Sequence, residues 1–136
     1  YMDKRTSSKV VIRTHFPEEP MIVSLISSLF EWVAENLCKN AVDAMGGTGT
    51  IDLSVEEDAK FVYVEVKDSG KGIPKSNFNS VFKPGFTTKE RGWGLGLSLA
   101  KRIVEEYHQG KIYVKDSEMG VGTTFRIELP KDSSDA

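Results

Sequence analysis

Three short polar side chains, Asn36, Asn40 and Asp43, recur at spacings of four and three residues. On a helix that turns about 100° per residue they fall in a strip about 60° wide, flanked by Leu29, Val33 and Ala44. A buried amide costs roughly 1–3 kcal/mol unless something satisfies it, so such a line serves neighbouring loops, solvent or a ligand. Asparagine carbonyl oxygens are hard donors that suit Mg²⁺, an ion that keeps waters and takes further oxygens from substrate phosphates.

Two glycine motifs could complement that strip. Asp68-Ser69-Gly70-Lys71-Gly72-Ile73-Pro74 directly follows a β-branched run. Alone it reads as a turn. Chemically, an aspartate at a strand end can accept a hydrogen bond from an exocyclic amine while glycines let the backbone approach a flat ring. Gly92-Trp93-Gly94-Leu95-Gly96-Leu97 opens a helical stretch, and a helix start offers free N–H groups and a positive dipole end suited to phosphate. It is not the dinucleotide fingerprint, because Leu97 stands where the third glycine belongs, and the chain has no G-x-x-x-x-G-K-[ST] loop. Lys83, Lys89 and Arg91 precede these glycines as cations for phosphate oxygens or as ordinary solvated charges.

These residues must be positioned by regular elements. Val10–His15 reads as a strand that Pro17 and Pro20 end, and Met21–Leu25 as a second short strand. Ser28-Leu29-Phe30-Glu31 matches a capping box and opens a helix running to Met45, which Gly46-Gly47 stops. Thr50–Val55 and Phe61–Val66 form a hairpin across Glu56–Lys60. From Asp68 to Gly96 regular pattern is lost, and loops of that length are functional or mobile. Leu97, Ala100, Ile103, Val104 and Tyr107 then define a second helix, with Gly110 as its terminator. Lys111–Lys115 and Thr123–Leu129 are the last strands, joined through Gly120-Val121-Gly122, and Lys131–Ala136 is a polar tail. Strands in succession favour an α+β, two-layer architecture, with a mixed, mostly antiparallel sheet and helices on one face.

Composition bounds the classes. A chain of 136 residues is one domain on the usual scale of roughly 100–200 residues, with its core at about residues 10–130. With 39% hydrophobic and 28% charged residues it is too apolar for a disordered tail. Lysine plus arginine total 18 against 20 acidic residues, a net charge of −2 that excludes a general nucleic-acid binder. No apolar run reaches the ~18 residues a bilayer requires, so direct membrane contact is not expected. The single Cys38 cannot form an internal disulfide and reads as a buried thiol on the packing side of the first helix, which fits a cytoplasmic chain.

Taken in order, Asn36-Leu37-x-x-Asn40-Ala41, Asp68-x-Gly70-x-Gly72, Phe82 with Phe86-Thr87-Thr88-Lys89, Gly92-x-Gly94-x-Gly96-Leu97 and Gly120-x-Gly122-Thr123 resemble the N, G1, F, G2 and G3 boxes of bacterial sensor histidine kinases. The resemblance is to their catalytic ATP-binding domain, within the superfamily of gyrase, heat-shock chaperone and mismatch-repair ATPases. It implies the Bergerat fold, with ATP and Mg²⁺ as cofactors. Asn40 would coordinate Mg²⁺, Asn36 would lie by the phosphates and Asp43 would also bind the cofactor, while Asp68 would take the adenine amino group with Thr123 supporting it through water. Gly70, Gly72 and Ile73 would lie against the base, and Phe82 to about Gly94 would form the ATP lid. Lys89 or Arg91 would touch phosphate, Gly94 and Gly96 would cradle the phosphates, and Thr87, Thr88, Gly92, Leu95 and Leu97 would also bind the cofactor, with Asn36, Asn40 and Lys89 as the catalytic residues. Trp93 would contact nucleotide or the dimerisation helices.

Two positions depart from the pattern. Ala44 stands where many members carry a tyrosine beside adenine. Asn36 stands where the water-hydrolysing relatives carry a glutamate, and Glu35 points about 100° away on the helix. An amide cannot take a proton from water, so efficient hydrolysis is not expected. The resemblance instead implies transfer of the γ-phosphoryl group to a histidine on a separate dimerisation domain, with a response regulator downstream and a parent kinase that is free or anchored in the inner membrane. The acceptor motif H-[ED]-x-x-[TN]-P is absent, His15 reads as a strand-end residue and His108 as a helix C-terminal one. Tyr1 in place of methionine reads as an internal start.

Overall fold

The computed structural model describes residues 9–15, 27–83 and 96–131. The strand expected at Met21–Leu25, residues 84–95 of the expected lid and the tail beyond residue 131 lie outside them. Five strands, β1 (Lys9–His15), β2 (Thr48–Glu57), β3 (Phe61–Asp68), β4 (Lys111–Glu118) and β5 (Gly122–Pro130), form one sheet in the order β1-β2-β3-β5-β4. Helix α1 spans Ser27–Ala44, and α2 spans Gly96–Arg102 before widening into a π turn over Ile103–Tyr107. Among the described strands only β1 and β2 pair in parallel, with α1 between them in sequence as the crossover that parallel pairing needs. The architecture is the two-layer α+β arrangement expected from the sequence.

Register explains the layers. Residues opposed across an antiparallel pair share a face. One row runs Leu53, Val66, Phe125, Val114 across four strands, and the next runs Val55, Val64, Ile127, Ile112. Val33, Leu37 and Ala41, four residues apart on α1, are buried in the same core as these rows, Val55 apart, with Ala100 on α2 and Val104 beyond it. The opposite rows are polar or amphipathic, as in Ser54, Glu65, Arg126, Tyr113. On that face Lys115 Nζ meets Glu65 at 2.8 Å, the Arg126 guanidinium lies 4.0 Å from the centroid of the Tyr63 ring, and the Tyr113 hydroxyl donates to Glu128 at 2.5 Å. Burial and that carboxylate push the Tyr113 phenol up to about 12.

The strands outrun their expected lengths because their extra residues, among them Glu56, Glu57, Lys67 and Glu118, are exposed and break the apolar alternation. The β2–β3 turn is built by Asp58, whose Oδ1 accepts the N–H groups of Lys60 and Phe61, both at 2.8 Å. Helix α1 begins at Ser27, so Ser28, the expected cap, is its second residue and Glu31 is exposed. At its other end Gly46 N–H donates to Asp43 and Gly47 N–H to Val42, both at 3.1 Å, the paired bonds of a Schellman stop.

The end of the second helical stretch differs from its expected form. The left-handed residue there is Gln109, at φ 54, not Gly110. Gly110 N–H bonds back to Val104 at 2.9 Å, and a β-carbon on Gly110 would lie 2.2 Å from the Glu128 carbonyl oxygen. This glycine is needed for close approach to β5 rather than for a special backbone angle. His108, before it, is buried, with Nδ1 3.1 Å from the Ile103 carbonyl oxygen and its ring edge-on to Phe30. His15 ends β1 beside Asp52, and Cys38 is buried, its thiol pushed up by desolvation. Among the described residues no helix is long and apolar enough to cross a membrane.

Gly110→Ala should therefore destabilise the fold by about 1–3 kcal/mol, the usual cost of overpacking against rigid backbone. Urea unfolding measures it, and an unchanged midpoint would show that β5 yields there.

Candidate functional site

The site grows from the end of β3. Asp68 is 4% exposed and its Oδ1 accepts two backbone N–H bonds, from Gly70 at 2.8 Å and Thr123 at 3.2 Å. Oδ2 has no hydrogen-bond partner among the described residues. Burial pushes the carboxyl above its ordinary range, and the two N–H bonds oppose that rise. The result is a fixed acceptor oxygen at a strand end.

Close backbone contacts assemble the rest around it. A β-carbon on Gly122 would lie 2.0 Å from the Asp68 carbonyl oxygen, so only glycine lets β5 start against the end of β3. A β-carbon on Gly70 would lie 2.7 Å from the Ala44 carbonyl oxygen, and Lys71 N–H donates to that same oxygen at 3.0 Å. The loop after β3 thereby satisfies one of the orphan carbonyls at the end of α1. Gly72, at φ 86, abuts the Glu118 carbonyl, and Gly120 N–H returns to the Lys71 carbonyl at 2.9 Å. Ser69 Oγ accepts Thr50 N–H at 3.0 Å and donates to Met45 Sδ at 3.4 Å, fastening the loop to the start of β2.

The other end of the strip on α1 meets α2. A β-carbon on Gly96 would lie 2.4 Å from Asn36 Oδ1, while Asn36 Nδ2 donates to Trp32 O at 3.3 Å. Asn40 is one turn from Asn36 and one turn from Ala44, so it lies between the residue that meets Gly96 and the residue that meets Gly70. Asn36 and Asn40 are half-buried and Asp43 is exposed. The strip expected from periodicity thus runs along α1 from the start of α2 to the loop after β3.

Of the remaining expected site residues, Ile73 and Leu97 are half-buried against the core. Phe82 is inside the core, edge-on to Phe125 at 5.9 Å between ring centroids, with Lys101 Nζ 5.8 Å from its own centroid. Thr87, Thr88, Lys89, Arg91, Gly92, Trp93, Gly94 and Leu95 lie outside the described residues. Sequence reasoning missed Ser117, whose Oγ accepts Ile73 N–H at 2.7 Å and lies 2.7 Å from Thr123 Oγ1. Its signal was available only as a position opposite Thr123 across the last hairpin.

Residues 27–133 match the family described as histidine kinase-, DNA gyrase B- and HSP90-like ATPases, and the chain belongs to that family. Sporulation kinase A of Bacillus subtilis is 42% identical over 122 residues, which are 90% of this chain and 20% of that kinase. The chain thus spans about a fifth of the length of this curated relative. The catalytic domain of histidine kinase ThkA superposes with a TM-score of 0.81 at 32% identity, over 96% of this chain and 84% of that domain. A structure of ThkA in complex with response regulator protein TrrA matches with a TM-score of 0.80 at 30% identity, over 99% of this chain and 37% of that one.

Asp68→Asn keeps an oxygen for Gly70 and Thr123 and removes the buried charge. Because the folded carboxyl titrates above its ordinary value of 3.8, the native state holds the proton more tightly. Stability contributed by this group therefore falls as pH rises through the raised folded value. The melting-point gain of Asp68→Asn over the parent should be larger at about pH 7 than at about pH 4. An equal gain at both would contradict the burial effect.

Proposed function

We propose that this chain is the ATP-binding catalytic domain of a sensor histidine kinase, donating the γ-phosphoryl group of Mg·ATP to a histidine on a dimerisation domain. The observation that carries the reading is Asp68, with one oxygen held by two backbone N–H groups and the other left as an acceptor. An oxygen so fixed suits the adenine amino group, which only donates. The family and the likeness to histidine kinase catalytic domains support the same reading.

The residues fit both cofactors. Asn40 and Asn36 offer hard amide oxygens on one face of α1, the donor type Mg²⁺ accepts alongside phosphate oxygens, and Asn40 is assigned as the metal ligand. Gly70 and Gly96 carry no side chain at either end of that strip, and Asp43 lies one turn on. Thr87, Thr88, Lys89, Arg91, Gly92, Trp93, Gly94 and Leu95 are assigned to the lid and the phosphates, with Lys89 as the cation that offsets charge on the transferring group. Bound Mg·ATP supplies the phosphoryl group and a metal charge that stabilises a loose transition state. This chain's own part is to bind, align and neutralise.

An alternative reading, a conformational ATPase clamp of the same superfamily in which nucleotide binding drives dimer closure, needs a general base near the metal asparagine. Asn36 is an amide packed on Gly96, and Glu35 is exposed. The acceptor histidine then comes from another domain, since His15 pairs with Asp52 and His108 is buried against Phe30. A response regulator is the assigned downstream partner, and the domain is assigned to the cytoplasm. No nucleic acid and no direct membrane contact enter the reading.

With a histidine-bearing dimerisation domain and labelled ATP, acid-labile phosphohistidine should form and disappear with Asn40→Ala; label that persists in the variant would sink the assignment. Steady phosphate release by the chain alone at above ~0.1 s⁻¹, already low for an enzyme, would favour the clamp.

A further inference from the structure

Ser117 lies near the end of β4, and its hydroxyl makes three contacts at once. Oγ accepts Ile73 N–H at 2.7 Å, lies 3.1 Å from the Gly122 carbonyl oxygen and lies 2.7 Å from Thr123 Oγ1. A serine hydroxyl has one proton and two lone pairs. The Gly122 carbonyl can only accept, so satisfying all three contacts directs the Ser117 proton to Gly122. One lone pair then serves Ile73 N–H, and the other receives the Thr123 proton. Thr123 N–H is already committed to Asp68 Oδ1 at 3.2 Å. With both of its protons engaged inside the fold, Thr123 has only lone pairs left to offer, and the neighbouring Asp68 Oδ2 is likewise an acceptor when ionised.

We infer that Ser117 is a positioning residue that sets base specificity: it holds the Thr123 hydroxyl as an acceptor, so that this corner takes a purine with a 6-amino group and rejects a 6-oxo purine. The inference rests on the nucleotide-binding reading above. Through the bridging water that the resemblance implies for Thr123, the polarity is relayed: with Thr123 and an ionised Asp68 both accepting, the water's two protons go to the protein and only its lone pairs face the base, which suit a 6-amino group and oppose a 6-oxo group. Without Ser117 the Thr123 hydroxyl is free to turn its proton to that water, which then has a proton to give an oxo group. The Ser117 contact also ties the loop after β3 to the last hairpin through Ile73, so a packing role alone would change all nucleotides equally. Base selectivity separates the two roles.

The test is calorimetric titration of the 136-residue chain with the β,γ-imido analogues of adenosine and inosine triphosphate, in the presence of Mg²⁺. The parent should prefer adenosine. In Ser117→Ala that preference should shrink about fivefold to tenfold, the worth of roughly one hydrogen bond, while Ser117→Thr, which restores a hydroxyl, should keep it. Thr123→Val, near-isosteric and lacking the acceptor, should narrow the preference similarly and serves if Ser117→Ala does not fold. Equal weakening of both analogues in Ser117→Ala, or an unchanged preference in Thr123→Val, overturns the inference and leaves the nucleotide reading intact. No binding of either analogue by the folded parent overturns both.

Discussion

A carboxylate buried at the end of a strand must be satisfied by the backbone around it, and in this fold that requirement fixes how three segments meet. Asp68 is served by Gly70 from its own loop and by Thr123 from the far end of the sequence. For Thr123 to reach it, β5 has to begin in contact with the last residue of β3, which Gly122 permits. For the loop to turn back on itself, Gly70 has to pass close under the end of α1. Burial raises the carboxyl's hold on a proton, and these N–H groups oppose that rise while fixing the group in place.

Glycine does different work at neighbouring points. Gly46 and Gly47 supply positive φ for a helix stop, at 65° and 84°. Gly110 and Gly122 supply space against a facing carbonyl. Gly96 supplies space against a side chain, Asn36, which is able to move. A substitution at each would therefore fail by a different route, even though the glycines look alike in sequence.

How much of this was legible depends on the range of the interaction. Helix α1 and the β2–β3 hairpin were readable because apolar periodicity and turn residues are local signals. Strand ends were under-read where exposed charges such as Glu57 and Glu118 replace the alternation. The parallel β1–β2 pair left no local trace, because the pairing is made across the whole of α1. At the site, Asn36, Asn40 and Asp68 stood out through spacing and motif order. Ser117 did not, since a serine near a strand end carries no pattern until the hairpin register sets it opposite Thr123. Gly110 was assigned to the right boundary for the wrong reason, its neighbour Gln109 taking the left-handed angle.

The sheet ends on β4, which carries Lys111, Lys115, Asp116 and Glu118 as exposed residues and shifts register between Val114 and Asp116. A strand with charges along it and an irregularity in its ladder is a poor template for another strand. Copies of this domain brought close together thus have little tendency to zip along this edge. At this edge their mutual orientation is left to whatever holds them rather than to their own backbones.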